Sequence, residues 1–380
     1  MDLALTARQE DVRRTARELA AQELAPLAAK LDEEHRFPAE GLRRLASLGF
    51  LGITVPEAQG GAGLDQVAYV LAVEEIARAC AGTALIMSVQ SALVCDPLVT
   101  FGTAAQRREW LAPLARGDCL GCFALSEPGA GSDAGALSTV ARREGDGFVV
   151  SGTKSFVTNA PVARVAVLFA MTDPARGAHG ITAFLVPLDA PGVTLGPRDR
   201  KLGVRAAQSC RVVLEEVRLP ASAVLGEVGM GFRIAMQALD GGRIGLAALA
   251  VGIARACLED SLAYARERRT FGKPIATHQA IQWKLADMAT EADAAHLLTL
   301  RAAARKDRGE RHTVEAAMAK LLASEVANRA AREAVQVYGG YGCLADYPVE
   351  RHFRDAKSTE IDEGTSEIQR IVIAQGVIGE

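Results

Sequence analysis

Three carboxylates crowd one short stretch of the chain. Glu360, Asp362 and Glu363 stand in STEIDEGTSEIQRIVIA, residues 358–374, directly ahead of Gly364. Ser366 and Gln369 have the spacing of a capping box, and Ile368, Ile371 and Val372 repeat as one helical face. Glu363 is therefore expected in a short loop at the mouth of a C-terminal helix. A carboxylate there has two uses. It is a general base if burial lifts its pKa towards neutrality, or an anion that suits the positive end of a helix dipole.

Four further segments carry groups of the kind that bind ligands. SEPGAGSD, 126–133, is a glycine-rich loop after a strand-like run. It lacks the P-loop lysine and does not fit G-x-G-x-x-G, so its glycines alone need be no more than turn formers. KSFVTNA, 154–160, alternates Phe156 and Thr158, which projects both to one face of a strand; an ordinary half-buried strand reads the same. ERRTFGK, 267–273, puts Arg268, Arg269 and Thr270 at a helix end, where cations also suit the dipole. ALDGGRIG, 238–245, sets Gly241 and Gly242 inside an apolar helix, at a cost of about 1 kcal/mol per Gly relative to Ala. Such a cost asks for something large that passes close to the backbone.

Other chemistries have weaker support. Cys119 and Cys122 form a C-x-x-C with no second pair and no nearby His, and read as small core residues on a strand. The six His are dispersed, and no metal site is expected. Seven scattered Cys suit a reduced, cytoplasmic chain. Net charge of -3 and a pI near 6.2 invite neither nucleic acid nor an anionic membrane. The N-terminus reads as an amphipathic helix rather than a signal peptide, and the longest apolar run, Ile244 to Ala254, is too short for a bilayer.

The elements that must position these groups are mainly helical. With 49% hydrophobic residues, only 5% aromatic ones and abundant Ala and Leu, composition favours helices. Residues 1–118 read as an N-terminal α-helical domain that starts at a Thr6–Gln9 capping box. Residues 119–226 hold β-like runs separated by Gly, Pro and Asp turns, and form a middle β domain, barrel-like in character. Residues 227–380 return to helical periodicity, with segments 229–266, 278–308 and 313–338 reading as an antiparallel helical bundle.

This order, with SEPGAGSD, KSFVTNA, ALDGGRIG, ERRTFGKPI, QVYGGYG and DEGTSEIQR, resembles the acyl-CoA dehydrogenase flavoproteins, short-chain or butyryl-type members above all. The resemblance spans nearly the whole chain. It implies a mainly α fold with a central β domain, an N-terminal α-helical domain, a middle β-barrel-like domain and a C-terminal four-helix bundle, and FAD as cofactor. It further implies that Phe123, Leu125, Ser126 and Ser132 lie against cofactor, with Ser132 also near the CoA arm. Phe156 would shield the isoalloxazine, where many relatives carry Trp, and Thr158 would bond near N5. Arg268 and Thr270 would reach the FAD pyrophosphate of a neighbouring subunit, with Gln279, Gln336, Gly339, Gly340, Thr365 and Glu367 as further contacts. Asp240, Arg243 and Gly364 would contact substrate.

The same resemblance assigns the base. Some relatives carry their catalytic glutamate on the helix where this chain has Gly242, which leaves Glu363. The backbone N–H of Glu363 and a flavin ribityl hydroxyl would hold the thioester oxygen. An acyl-CoA substrate, an electron-transfer flavoprotein and a homotetramer follow from family habit. Asp362 departs from the aromatic residue common beside this glutamate, and Asp96 is a second acid in an apolar segment; together they favour a short, branched or polar acyl group. Glu360 reads as a solvated neighbour. Two other enzymes remain open, a dehydrogenase of acyl groups on a carrier protein and an oxidase using dioxygen. A DNA-binding relative on the same scaffold is opposed by the acidic charge and by a chain that stops ten residues after Arg370.

Overall fold

The computed structural model describes residues 4–379, so the outermost ends of the first and last segments fall outside it. The chain opens with α1 (Ala7–Leu19), whose Thr6 cap accepts from Gln9 N–H while Gln9 returns the bond, the capping box its sequence specifies. Then come α2 (Ala25–Glu33), α3 (Ala39–Ser47), α4 (Gln66–Ala79) and α5 (Ala81–Ser88). A wide helical turn, Val89–Cys95, leads into α6 (Asp96–Phe101), and the short α7 (Ala104–Gln106) and α8 (Ala112–Arg116) complete the first third. Helix α8 stops where Gly117 turns left-handed, at φ 75°.

Eight strands follow in one mixed sheet: β1 (Leu120–Ala124), β2 (Val140–Glu144), β3 (Gly147–Thr158), β4 (Ala163–Met171), β5 (Ile181–Pro187), β6 (Val193–Arg198), β7 (Ser209–Leu219) and β8 (Val224–Leu225). The order runs β6-β7-β3-β2-β4-β5-β8, with β1 parallel to β4. Strand β4 shows how the sheet is used. Ala166, Leu168 and Ala170 join Cys122, Val150, Phe184, Val212 and Leu214 in a core that the sheet closes around itself. Val165, Val167, Phe169 and Met171, on the alternate face, join the core of the helices. This wrapping gives the sheet its barrel-like character.

The last third is α9 (Gly231–Glu267), α10 (Gln279–Asp307), α11 (Thr313–Tyr338), α12 (Pro348–Thr359) and α13 (Ser366–Ile378). The first three match the periodic segments to within two residues at each end. Helix α11 packs on α9, α10, α12 and α13, while α4 packs on α9 and α10, so the first and last thirds share one hydrophobic core. Two helical stretches, Ala81–Phe101 and Gly231–Glu267, are long and apolar enough to cross a membrane by length and composition, longer than the single run singled out from sequence. Here they are the interior of the fold, 78% and 89% buried against neighbours.

Candidate active site

Glu363 sits in the turn between α12 and α13 with left-handed backbone, φ 57°, followed by Gly364 at φ 97°. The cap of α13 is one residue earlier than its sequence suggests. Thr365 accepts from Ile368 N–H, and Gln369 does not turn back to Ser366. Instead the Gln369 amide donates to the carbonyls of Glu363 at 3.3 Å and Gly364 at 2.7 Å. Lys320 on α11 donates a second bond to the Gly364 carbonyl at 2.7 Å. The turn is thus held by three donor contacts on its backbone.

Both Glu363 carboxylate oxygens are buried, and neither has a hydrogen-bond partner among the described residues. Burial pushes this carboxyl up to about 8; Asp362 adds to the rise, and Lys320 and Arg243 oppose it. Desolvation thereby overrides the helix N-terminus, which favours ionisation. Asp362 is raised by burial as well and lies in the field of Lys201 and Lys320. Its charge is answered by protein, so it is not the solvent-facing acid that one reading of the loop allowed. Glu360 is not simply solvated either: it accepts from Lys357 Nζ at 2.5 Å with 23% of its side chain exposed.

Helix α9 explains its glycines. A Cβ at Gly242 would lie well inside contact distance of Glu363 Oε2, and 2.8 Å from both its Cδ and Leu93 Cδ2. A Cβ at Gly241 would lie 2.9 Å from Lys306 Nζ and 3.4 Å from Asp96 Oδ2. At Gly245 it would run into the Tyr69 hydroxyl and Ser88 Oγ, which bond each other at 3.1 Å. Three missing side chains therefore let Glu363, the Asp96–Lys306 pair and the Tyr69–Ser88 pair approach the backbone of α9 closely. Asp96 and Lys306 are an ion pair about one-fifth exposed, whereas Tyr69 and Ser88 are buried. Arg243 on α9 is buried, bonded to Asp240 at 2.7 Å with its Nε unpartnered, and Asp240 also accepts from Thr313.

The segments expected against a cofactor fall into two groups. In the first, β3 meets the loop 126–133: Ser155 N–H donates to the Ser126 carbonyl, and Lys154 Nζ donates to the Leu125 carbonyl at 3.1 Å. Lys154 is completely buried and paired with Glu127 at 2.7 Å. Burial works against the Glu127 carboxylate, but bonds from Lys154, Ser138 and Thr139 outweigh it and hold its pKa down at about 2. The alternation expected of Phe156 and Thr158 is interrupted by a bulge between Lys154 and Val157, and Phe156 takes φ 57°. The bulge throws its ring outward, 74% exposed, with Thr158 half-buried beside it. Phe123 packs edgewise on Phe169, and Ser132 lies exposed in the loop.

In the second group, Arg268, Thr270, Gly339 and Gly340 line one groove with Tyr264 and Tyr341. The Arg268 guanidinium lies over the Tyr341 ring, 5.5 Å from its centre, and Thr270 bonds His278 at 3.0 Å. Gln279 and Gln336 are exposed on adjoining helices, outside the groove lining, and Glu367 is exposed on α13. No group of His, Cys, Asp and Glu suited to a metal ion occurs among the described residues.

Comparison with known proteins identifies this arrangement. The chain matches the acyl-CoA dehydrogenase N-terminal domain over residues 6–118, the middle domain over 122–217 and the C-terminal domain over 229–378. It belongs to the acyl-CoA dehydrogenase family. The mitochondrial short-chain specific acyl-CoA dehydrogenase of Bos taurus is 52% identical over 363 residues, 96% of this chain and 88% of that protein. Butyryl-CoA dehydrogenase from Megasphaera elsdenii superposes with a TM-score of 0.98 at 44% identity, covering all of both chains. The prolyl acyl carrier protein oxidase AnaB superposes at 0.95 with 33% identity, covering 98% of this chain and 100% of that one. The chain is thus an oxidoreductase, and acyl-CoA dehydrogenases are FAD enzymes. Its residues fit that cofactor: an outward aromatic ring at Phe156 can cover a flavin. A guanidinium, a hydroxyl and two side-chain-free glycines in one groove suit a diphosphate.

Lys320, the Lys154–Glu127 pairing and the Tyr69–Ser88 pair escaped the sequence reading, and Gln369 was expected as a cap and not as a donor to the Glu363–Gly364 turn. A lysine inside the Ala-rich EAAMAKLLAS was the one visible signal among them.

Proposed function

We propose that this acyl-CoA dehydrogenase introduces an α,β double bond into a short acyl-CoA, with Glu363 as the base that removes the α-proton. The supporting observation is a buried, unpartnered carboxylate set against the bare backbone of Gly242. A base must be dry and free to accept a proton, and this one is both. FAD, when bound, supplies the two-electron acceptor for the hydride that leaves Cβ. The backbone N–H of Glu363 polarises the thioester oxygen, which acidifies Cα as the proton moves to the carboxylate. Asp240 and Arg243 bind the CoA portion, together with Ser132 and Gly364. Phe156 and Thr158 orient the flavin, and Leu125 and Ser126 support it through their backbone.

The acyl group runs inward from Glu363 beside α9. Between Gly242 and Gly245 lie about 4.5 Å of helix before the Tyr69–Ser88 pair. That depth suits a few carbons, and the wall at its end is polar. An octanoyl tail would have to displace a hydrogen-bonded pair in a core, which its extra methylenes, at about 0.8 kcal/mol each, do not readily offset. The specificity therefore rests on Tyr69 and Ser88 rather than on the charge of Asp362.

The test is bleaching of the bound flavin by a panel of acyl-CoAs against the same acyl groups on a carrier protein. The four-carbon CoA thioester is expected to be fastest, at a rate that rises with pH and levels off above about 8, as Glu363 loses its proton. Bleaching by carrier-bound acyl groups alone would favour the carrier-protein reading. An electron-transfer flavoprotein is the electron acceptor we assign; peroxide formed without it would identify an oxidase.

The oligomer we assign is a homotetramer whose Arg268 and Thr270 reach FAD of a neighbouring subunit. Arg268→Ala should lose FAD on dialysis and loosen the assembly, seen together by absorbance and light scattering. Full FAD occupancy after dialysis would leave Arg268 as a helix-end cation stacked on Tyr341.

A further inference from the structure

The Gly364 carbonyl receives two donors, the Gln369 amide and the Lys320 ammonium, both at 2.7 Å. Gln369, which is neutral, ties the turn to its own helix α13, whereas Lys320 ties it to α11. Lys320 is completely buried on α11 among Ala316, Ala317, Ala319 and Ala323. A buried cation is costly unless other charges answer it. What the second donor adds is therefore its charge. The groups that answer it are on the turn itself.

We propose that Lys320 is the positioning residue of the proton abstraction, holding the Glu363–Gly364 turn on α11 so that the carboxylate faces Gly242, with Asp362 as its counter-charge. This rests on Glu363 being the base. The charged groups around that carboxylate are few. Lys320 comes from α11, and Arg243, tied to Asp240, comes from α9. Asp362 stands on the turn, with Lys201 beyond it and Glu360 near Lys320. The Asp96–Lys306 pair lies at the next position of α9, and Tyr69, kept protonated by burial, lies one turn along. Burial lowers Lys320 to about 8, while Glu363 and Asp362 work to keep it charged. Lys320 and Asp362 thus act on Glu363 in opposite senses, so their neutral variants should shift its titration in opposite directions.

The experiment uses the FAD-loaded enzyme with Lys320→Met, Lys320→Arg, Asp362→Asn and, as reference, Glu363→Gln. Thermal unfolding and FAD content establish folding. Two readouts follow: the pH midpoint of flavin bleaching by a four-carbon acyl-CoA, and protons taken up on binding that thioester, by calorimetry in two buffers. Lys320→Met should move the midpoint up by about one pH unit, with roughly tenfold slower bleaching at neutral pH. Asp362→Asn should move it down, with Lys320→Arg close to the parent midpoint. A folded Lys320→Met with the parent midpoint and proton uptake overturns the proposal. If Lys320→Met does not fold, an unchanged midpoint in Asp362→Asn overturns it. Loss of bleaching in Glu363→Gln alongside either result shows that the base assignment stands separately.

Discussion

Glu363→Gln is expected to keep FAD and bind acyl-CoA yet bleach the flavin at least 10²–10⁴-fold more slowly, the usual contribution of a general base. Gln nearly retains the size of the side chain and its fit against Gly242 and Leu93, so loss of binding is not expected. Stability should move the other way. The folded chain holds a proton on Glu363 that the unfolded chain has released, so stability falls as pH rises from 4.5 through about 8. A shift of that size corresponds to at most about 5 kcal/mol. Glu363→Gln removes the penalty. Its melting temperature should exceed that of the parent near pH 8 and converge with it near pH 4.5. Near-parent bleaching would place the base elsewhere.

Gly242→Ala is expected to slow bleaching by about 10² without unfolding the protein. The added methyl would occupy space held by Glu363 Oε2 and Leu93 Cδ2. One of them must move, and the carboxylate, without a hydrogen bond, is the less restrained. A displacement of about 1 Å at a reacting group commonly costs 10²-fold. Stability changes little, because a gain of about 1 kcal/mol in helix propensity offsets part of an overpacking cost of about 1–3 kcal/mol. Rapid kinetics and a melting curve measure both sides. A parent-like bleaching rate in Gly242→Ala would mean that the carboxylate does not need this contact.

Local pattern carried much of the molecule. The 37 residues of α9 and the bounds of α10 and α11 follow from apolar periodicity, and the Thr6–Gln9 box from a four-residue signature. The glycines of α9 announced a close approach, and the structure names the groups that approach. What stayed hidden depends on partners far apart in the chain. Lys320 meets Gly364 across 44 residues, and Lys154 meets Glu127 across 27. Gln369 has the spacing of a cap, yet its amide is taken by two carbonyls that only the folded turn presents. Phe156 lies on a bulge because β3 has one more residue than β7 there, a mismatch that neither strand shows alone. Asp362 lies in the field of Lys201 and Lys320, which come from two other parts of the chain and which its own neighbourhood in sequence does not reveal.

Strand β4 has a bearing on how substrate gets in. Val165, Val167, Phe169 and Met171 are anchored in the helical core, while their neighbours Ala166, Leu168 and Ala170 are anchored in the sheet. Prying the sheet from the helices would expose four large apolar side chains at about 1.5–3 kcal/mol each, before any loss of packing. A hinge at this boundary would be open only in a vanishing fraction of molecules. Access to Glu363 therefore does not come from parting the sheet and the helices at β4. Sheet and helices are riveted along β4 and move as one body.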